Sequence, residues 1–220
     1  MKTFVDRIQK DASRISFGSY ISLLSTQIVI LLVMVSGDIL VASGRPDWVP
    51  QHIWALTDVP VHILLGILVS IPLIVQNGWN RQTLLRLMLA GLAAMLIDLD
   101  HFMAAGSFSL FAATHLDYRP ATHSLAFALL CFLIIWLITR NIRDGLLVFM
   151  ALASHVVRDA SGGGTPFLLF PFEVSQIPVW IYYAAELGLS LAAWMAAGVQ
   201  FIARDRQQSD PTVQHPILPF

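Results

Sequence analysis

Six apolar runs, at about 20–41, 59–76, 84–102, 122–139, 142–159 and 178–203, take up most of this 220-residue chain. Several approach the ~17–25 residues that carry a helix across a bilayer. In hydrocarbon every backbone N–H and C=O must be satisfied within the spanning structure, which for runs of this length means an α-helix. The expected fold is therefore all-α, a polytopic integral membrane helical bundle with about six transmembrane helices. The connections are short, so neighbouring helices are expected to pack antiparallel. Only 12% of the residues are charged, about half the share usual in soluble domains.

Sided charge sets the orientation. Lys2, Arg7, Lys10 and Arg14 precede the first run, Arg81 and Arg86 separate the second and third, Arg140 and Arg143 the fourth and fifth, and Arg204 and Arg206 follow the last. The opposite face carries Arg45, Arg119 and Arg158. Basic residues collect on cytoplasmic loops, so both termini are expected inside. Trp48, Trp54 and Trp180 suit an outer aromatic belt and Trp79 an inner one. A net charge of −1 offers no basic face for nucleic acid. The single Cys131 rules out both a disulfide framework and a cysteine-based zinc site. Four segments follow: 1–58, a cytoplasmic N-terminus with an extra transmembrane helix and outer loop; 59–177, the core; 178–206, the final transmembrane helix; and 207–220, a proline-rich flexible tail.

With that topology the polar residues converge. "LIDLDH" ends the third helix and brings Asp98, Asp100 and His101 to its outer end. "THS" starts the fourth with His123, "SHVVRD" ends the fifth with His155 and Asp159, and "DVPVHILLG" starts the second with His62. Asp98 and His101 are spaced i, i+3 and His155 and Asp159 i, i+4, so each pair shares a helix face. Imidazole nitrogen with carboxylate oxygen suits a divalent cation. Seven such groups exceed what one tetrahedral ion needs and point to a two-metal site. Arg119 and Arg158, the nearest outer cations, would hold a substrate anion, with a headgroup contact or a salt bridge to a ligand aspartate equally open. Glu186, in the last helix, either completes the shell or pairs with Tyr182 or a polar group of the second helix. Gly162 to Gly164 read as a turn, although such a loop can aim N–H groups at an anion. His52 and His115 read as interfacial contacts, Asp38, Asp47 and Asp58 as solvated helix-end carboxylates, and His215 as having no role.

"VHILLGI", "LIDLDH", "YRPATHSLAF" and "SHVVRDASGGGTPFLLFPF" resemble, in that order, the YdjM-like inner-membrane proteins, a bacterial and archaeal family of membrane-bound metal-dependent hydrolases. The likeness covers about residues 59–175. It implies metal ligation by His62, Asp98, Asp100, His101, His123, His155 and Asp159. It also implies a place in the bacterial inner membrane. Two departures stand out. Ile97 replaces the proline usual before the first aspartate. Tyr118, Arg119 and Pro120 stand where the family usually reads His-Arg-Gly, which removes one possible ligand that His115 would replace.

Residues and resemblance together lead to a membrane enzyme with a binuclear centre, two zinc ions first and manganese or iron as alternatives, facing the periplasm or exterior. Metal-activated water would attack an ester, with Asp98, Asp159 or Glu186 as base and Arg119 or Arg158 on the departing anion. A site at headgroup level suits a membrane lipid or lipid-linked substrate, phosphoesters first, acyl esters and amides next. The rivals are a non-catalytic membrane subunit with a structural metal, and a metal or proton transporter.

Overall fold

The computed structural model describes residues 17–75, 80–116, 118–162, 169 and 176–209, without side chains for 17–19, 51, 55 and 199–209. Lys2, Arg7, Lys10, Arg14, Trp79, Gly163, Gly164 and the tail after Ser209 lie outside the described residues, as do the side chains of Arg204 and Arg206. The described elements are helices: α1 Phe17–Ala42, α2 Gln51–Ala55, α3 Val59–Ile74, α4 Arg81–Leu96, a 3-10 turn Ile97–Leu99, α5 Asp100–Ala104, α6 Leu110–Thr114, α7 Leu125–Thr139, α8 Ile142–Gly162 and α9 Val179–Ser209.

Four stretches are long and apolar enough to cross a membrane: Tyr20–Ala42, His52–Ile74, Arg81–Ala104 and Val179–Gly198. The other two runs differ from the six-helix expectation for separate reasons. α7 is strongly apolar but has 15 residues, about 22 Å of rise. α8 has 21 residues but carries Arg143, Asp144, Arg158 and Asp159, which breaks the apolar pattern. It compensates by burial: 15 of its residues are inside the bundle, Arg143, His155, Arg158 and Asp159 among them. A helix with charges at both ends is tolerated in a membrane when protein surrounds it, and α8 packs against α3, α4, α7 and α9.

Local chemistry sets the helix ends near the His/Asp residues. Ser124 caps α7, its hydroxyl accepting from the Phe127 N–H at 3.2 Å, so Thr122 and His123 lie just before the helix rather than in its first turn. Asn80 caps α4 in the same way, accepting from the Thr83 N–H at 3.0 Å. The far end of α4 tightens into the 3-10 turn at Ile97–Leu99. At the opposite end of the bundle Arg86 of α4 donates to Asp144 of α8 at 2.8 Å.

The core close to the site depends on a glycine. A Cβ on Gly66 of α3 would lie 2.7 Å from the Ala94 Cβ of α4 and 3.4 Å from the Ala151 Cβ of α8. Both neighbours are short side chains fixed to helical backbone, so neither can move aside alone. Gly66→Ala is expected to lower stability by about 1–3 kcal/mol, the usual cost of overpacking, read as the thermal midpoint in detergent. The Ala94 carbonyl also accepts from the His155 ring at 2.6 Å, so the same change should disturb the orientation of that histidine.

Candidate metal centre

Four helices and one turn supply the site. α8 brings His155 and Asp159, the end of α4 with its 3-10 turn brings Asp98, α5 brings Asp100 and His101, α3 brings His62, and the turn before α7 brings His123. Asp98, His123, His155 and Asp159 place four ligand atoms within 4.8 Å of one another. Asp98 Oδ1 is 3.3 Å from His155 Nε2 and 3.4 Å from His123 Nε2. Asp159 Oδ2 is 3.2 Å and 3.4 Å from the same two nitrogens. Two further groups share members with this one: Asp100, His101 and His123, and Asp58, His62 and Asp159. The i, i+3 and i, i+4 pairs expected from the sequence both lie within this set, Asp98 with His101 at 3.8 Å and His155 with Asp159 at 3.2 Å.

Hydrogen bonds orient the rings. His155 Nδ1 lies 2.6 Å from the Ala94 carbonyl, an atom that can only accept, so Nδ1 carries the proton. In the neutral ring Nε2 is then a bare lone pair. It is buried, has no hydrogen-bond partner and faces two carboxylate oxygens. Acceptor against acceptor is unfavourable unless a proton on Nε2 or a metal cation lies between them, and a metal-binding histidine presents its nitrogen in this way. His123 is arranged similarly, with Nδ1 3.1 Å from Asp100 Oδ2 and Nε2 directed at Asp98 and Asp159. The Thr122 hydroxyl donates to the same Asp100 oxygen.

The electrostatics favour a cation. His62 stacks on His155 at 3.8 Å, His123 meets His155 at 5.4 Å, and His101 meets His123 at 4.8 Å. Four imidazoles this close resist simultaneous protonation. Asp38, Asp58, Asp98, Asp100 and Asp159 stand against two guanidiniums, Arg119 and Arg158. With neutral imidazoles the excess is negative. Burial opposes charge on His123, but its hydrogen bonds to Asp100 and Asp98 outweigh that and raise its proton affinity above the ordinary imidazole value. The same carboxylates attract a metal cation. The donor set fits a divalent metal.

The remaining residues named from the sequence are distributed as follows. Arg119 Nη1 donates to Asp159 Oδ2 at 2.6 Å, the salt bridge to a ligand aspartate left open above. Arg158 is buried and gives its donors to Asp58, Asp38 and the Tyr182 hydroxyl. Glu186 is fully buried and accepts from Ser154 at 3.1 Å, outside the three converging groups. His115 stacks on Phe111 and bonds its carbonyl, and His52 meets the edge of Phe111. Neither joins a ligand group. Asp47 is exposed. Asp58 and Asp38 are not merely solvated: Asp58 converges with His62 and Asp159, and Asp38 accepts from Arg158 and Tyr183. Asp58 and His62 have the i, i+4 spacing that singled out His155 and Asp159, a signal in the sequence that reading Asp58 as a helix-end residue overlooked.

A cavity of about 380 Å³ opens onto this set. Asp58, His62, Asp98, His101, Arg119 and Asp159 are among its polar lining, and Leu56, Phe102, Leu110 and Leu116 among its apolar lining.

The class this defines is a helical membrane protein with a buried His/Asp centre at one end of its bundle. Residues 58–212 match the profile of the YdjM inner membrane protein family, and the chain belongs to that family. It is also similar to proteins called Transmembrane protein 267: that of Danio rerio, 34% identical over 147 residues, 61% of this chain and 64% of that protein; and that of Xenopus laevis, 33% identical over 155 residues, 66% of this chain and 70% of that protein. The Bos taurus protein of that name is 30% identical over 153 residues. The chain thus spans about two thirds of the length of the relatives it matches. No solved structure matches it.

Proposed function

We propose that the chain is a membrane-embedded, metal-dependent hydrolase with a binuclear His/Asp centre, acting on a lipid or lipid-linked ester at the periplasmic or outer face of a bacterial inner membrane. The observation that carries this reading is the convergence of Asp98, His123, His155 and Asp159 beside a cavity lined by both polar and apolar side chains. Such a cavity suits an amphiphile, its head at the ligands and its tails against the leucines. Phosphoesters remain first, acyl esters and amides next. The orientation, with six crossings and both ends cytoplasmic, rests on the basic residues, with α7 and α8 as the fourth and fifth crossings.

Bound at these ligands, a divalent cation supplies Lewis acidity to polarise an ester and acidify water. The protein's groups divide the remaining tasks. Asp98, whose side chain is 33% exposed and lines the cavity, is placed to take a proton from water. Asp159 is almost fully buried and tied to Arg119, and Glu186 is tied to Ser154, so both suit that role less. Arg119, 29% exposed at its side chain and lining the same cavity, offers its remaining N–H donors to a substrate anion. Asp100 holds the His123 ring in register. Arg158, with its donors engaged inside the protein, leaves the anion to Arg119. A site open to a cavity favours catalysis over a metal that only fastens helices. Transport is less favoured, since Glu186 is the one buried carboxylate between this centre and the Arg86–Asp144 pair among the described residues.

The test is metal analysis joined to turnover. Detergent-purified protein is expected to carry about two equivalents of a divalent transition metal, fewer in His123→Ala and His155→Ala. It should hydrolyse one of a panel of phosphoester, acyl-ester and amide lipids. Arg119→Ala should keep the metal and lose about 10-fold or more in turnover. Labelling of Ser107→Cys, in a chain lacking Cys131, should occur from the periplasmic side. Metal-free wild type, or wild type inert on all three lipid classes, overturns the proposal.

A further inference from the structure

The family match begins at residue 58, so α1 lies outside it, yet α1 is bonded to the centre. Gln27, Ile30, Met34, Gly37 and Asp38 fall at helical spacing on one face. Ile30 and Met34 are fully buried, and Gln27 donates to Ser190 of α9 at 3.1 Å. A Cβ at Gly37 would lie 2.9 Å from Val61 Cγ1 and 3.2 Å from Arg158 Nη2. The glycine therefore lets α1 approach the arginine beside Asp159. There, Arg158 Nη1 donates to Asp38 Oδ1 at 3.0 Å and to the Tyr182 hydroxyl at 2.8 Å. The Tyr183 hydroxyl donates to the other oxygen of Asp38 at 2.6 Å. Nε and Nη2 of the same guanidinium donate to Asp58 Oδ1 at 3.2 and 2.6 Å.

Asp58 precedes the first residue of α3, where an aspartate ordinarily caps its own helix. It makes no such bond. Its Oδ1 is held by Arg158, and its Oδ2 lies 3.1 Å from His62 Nε2. Asp159 Oδ1 is 3.5 Å from the same nitrogen, while Asp159 Oδ2 faces His123 and His155. The two oxygens of Asp159 thus face two ligand groups.

We infer that Asp58 is a further ligand, completing a second cation site with His62 and Asp159, and that Arg158, held by Asp38 of α1, is the residue that positions it. This rests on the metal-centre reading above. It makes α1 part of the site, joined to it through a guanidinium shared between two carboxylates.

The experiment uses the full-length protein in detergent, loaded with zinc and challenged with EDTA, reading zinc equivalents and the rate of release. Wild type should hold two equivalents and Asp58→Asn about one. Asp38→Asn should load fully but release its second equivalent at least ~10-fold faster, the range for residues that orient ligands. Asp47→Asn, an exposed carboxylate near the same end, should match wild type. If Asp58→Asn does not fold, Asp58→Glu replaces it, keeping the charge but displacing the oxygens, and should release the second equivalent faster. Two slowly released equivalents in the Asp58 variants overturn the ligand role. Wild-type release from Asp38→Asn overturns the role of α1. In both cases a zinc-loaded wild type leaves the metal centre standing. A wild type that binds no zinc overturns the centre and this inference together.

Discussion

On the proposed metal-dependent reading, Asp159→Asn is expected to lose at least about 100-fold in metal affinity and, with it, measurable hydrolysis. Changes to groups that merely orient ligands cost about 10–100-fold, and Asp159 is involved more deeply. It approaches His123 and His155 through one oxygen and His62 through the other, and it anchors Arg119. Asparagine keeps the shape but removes the charge, and it presents an N–H₂ where a cation needs an acceptor. The guanidinium of Arg119 is then left beside a neutral amide. Helix content should stay near wild type, because the apolar packing of α8 is untouched. Chelator competition with elemental analysis measures the affinity, and circular dichroism checks the fold. Affinity within about threefold of wild type would remove Asp159 from the centre.

A second large effect is expected in stability. Arg158→Ala should lower it by about 2–3 kcal/mol, less than the ~3–5 kcal/mol for a fully buried charge pair broken from one side, because the side chains of Asp38 and Asp58 are 34% and 32% exposed. Arg158 is 5% exposed. Its removal takes away the donors on which Asp38, Asp58 and Tyr182 rely, and the ring of Tyr182 also loses a cation 5.7 Å from its centroid. Arg158→Lys should recover only part of the loss, because an ammonium cannot fork between two carboxylates and a hydroxyl with the same geometry. Unfolding midpoints in detergent, compared with wild type at equal protein and detergent concentration, measure both. A loss below about 1 kcal/mol in Arg158→Ala would mean that water replaces the arginine at little cost and that the network is solvated.

Much of the arrangement was legible in the chain because it follows from local rules. Apolar length dictates helices in a membrane, and alternating direction then brings His62, Asp98, His123, His155 and Asp159 to one end whatever the packing details. The spacing of His155 and Asp159 shows that they share a face before any neighbour is known. The same rule applied to Asp58 and His62 would have placed Asp58 correctly; it was missed because a carboxylate before a helix has an ordinary reading as a cap or a solvated residue.

Sequence alone determined the helical class, the polar end of the bundle and the residue types gathered there, since each depends on composition and periodicity within one segment. The tertiary structure decided which partner each group takes. Arg158 could equally have faced a substrate, a headgroup or an aspartate. It faces Asp38 and Asp58, 120 and 100 residues away, because Gly37 lets α1 close onto Val61 of α3 and within reach of the Arg158 guanidinium. The tightening of α4 into its 3-10 turn, and the tautomer of His155 set by the Ala94 carbonyl, belong to the same category. They arise where helices from distant parts of the chain meet, and a side chain's choice among several chemically equivalent partners is settled there by which backbone can approach most closely.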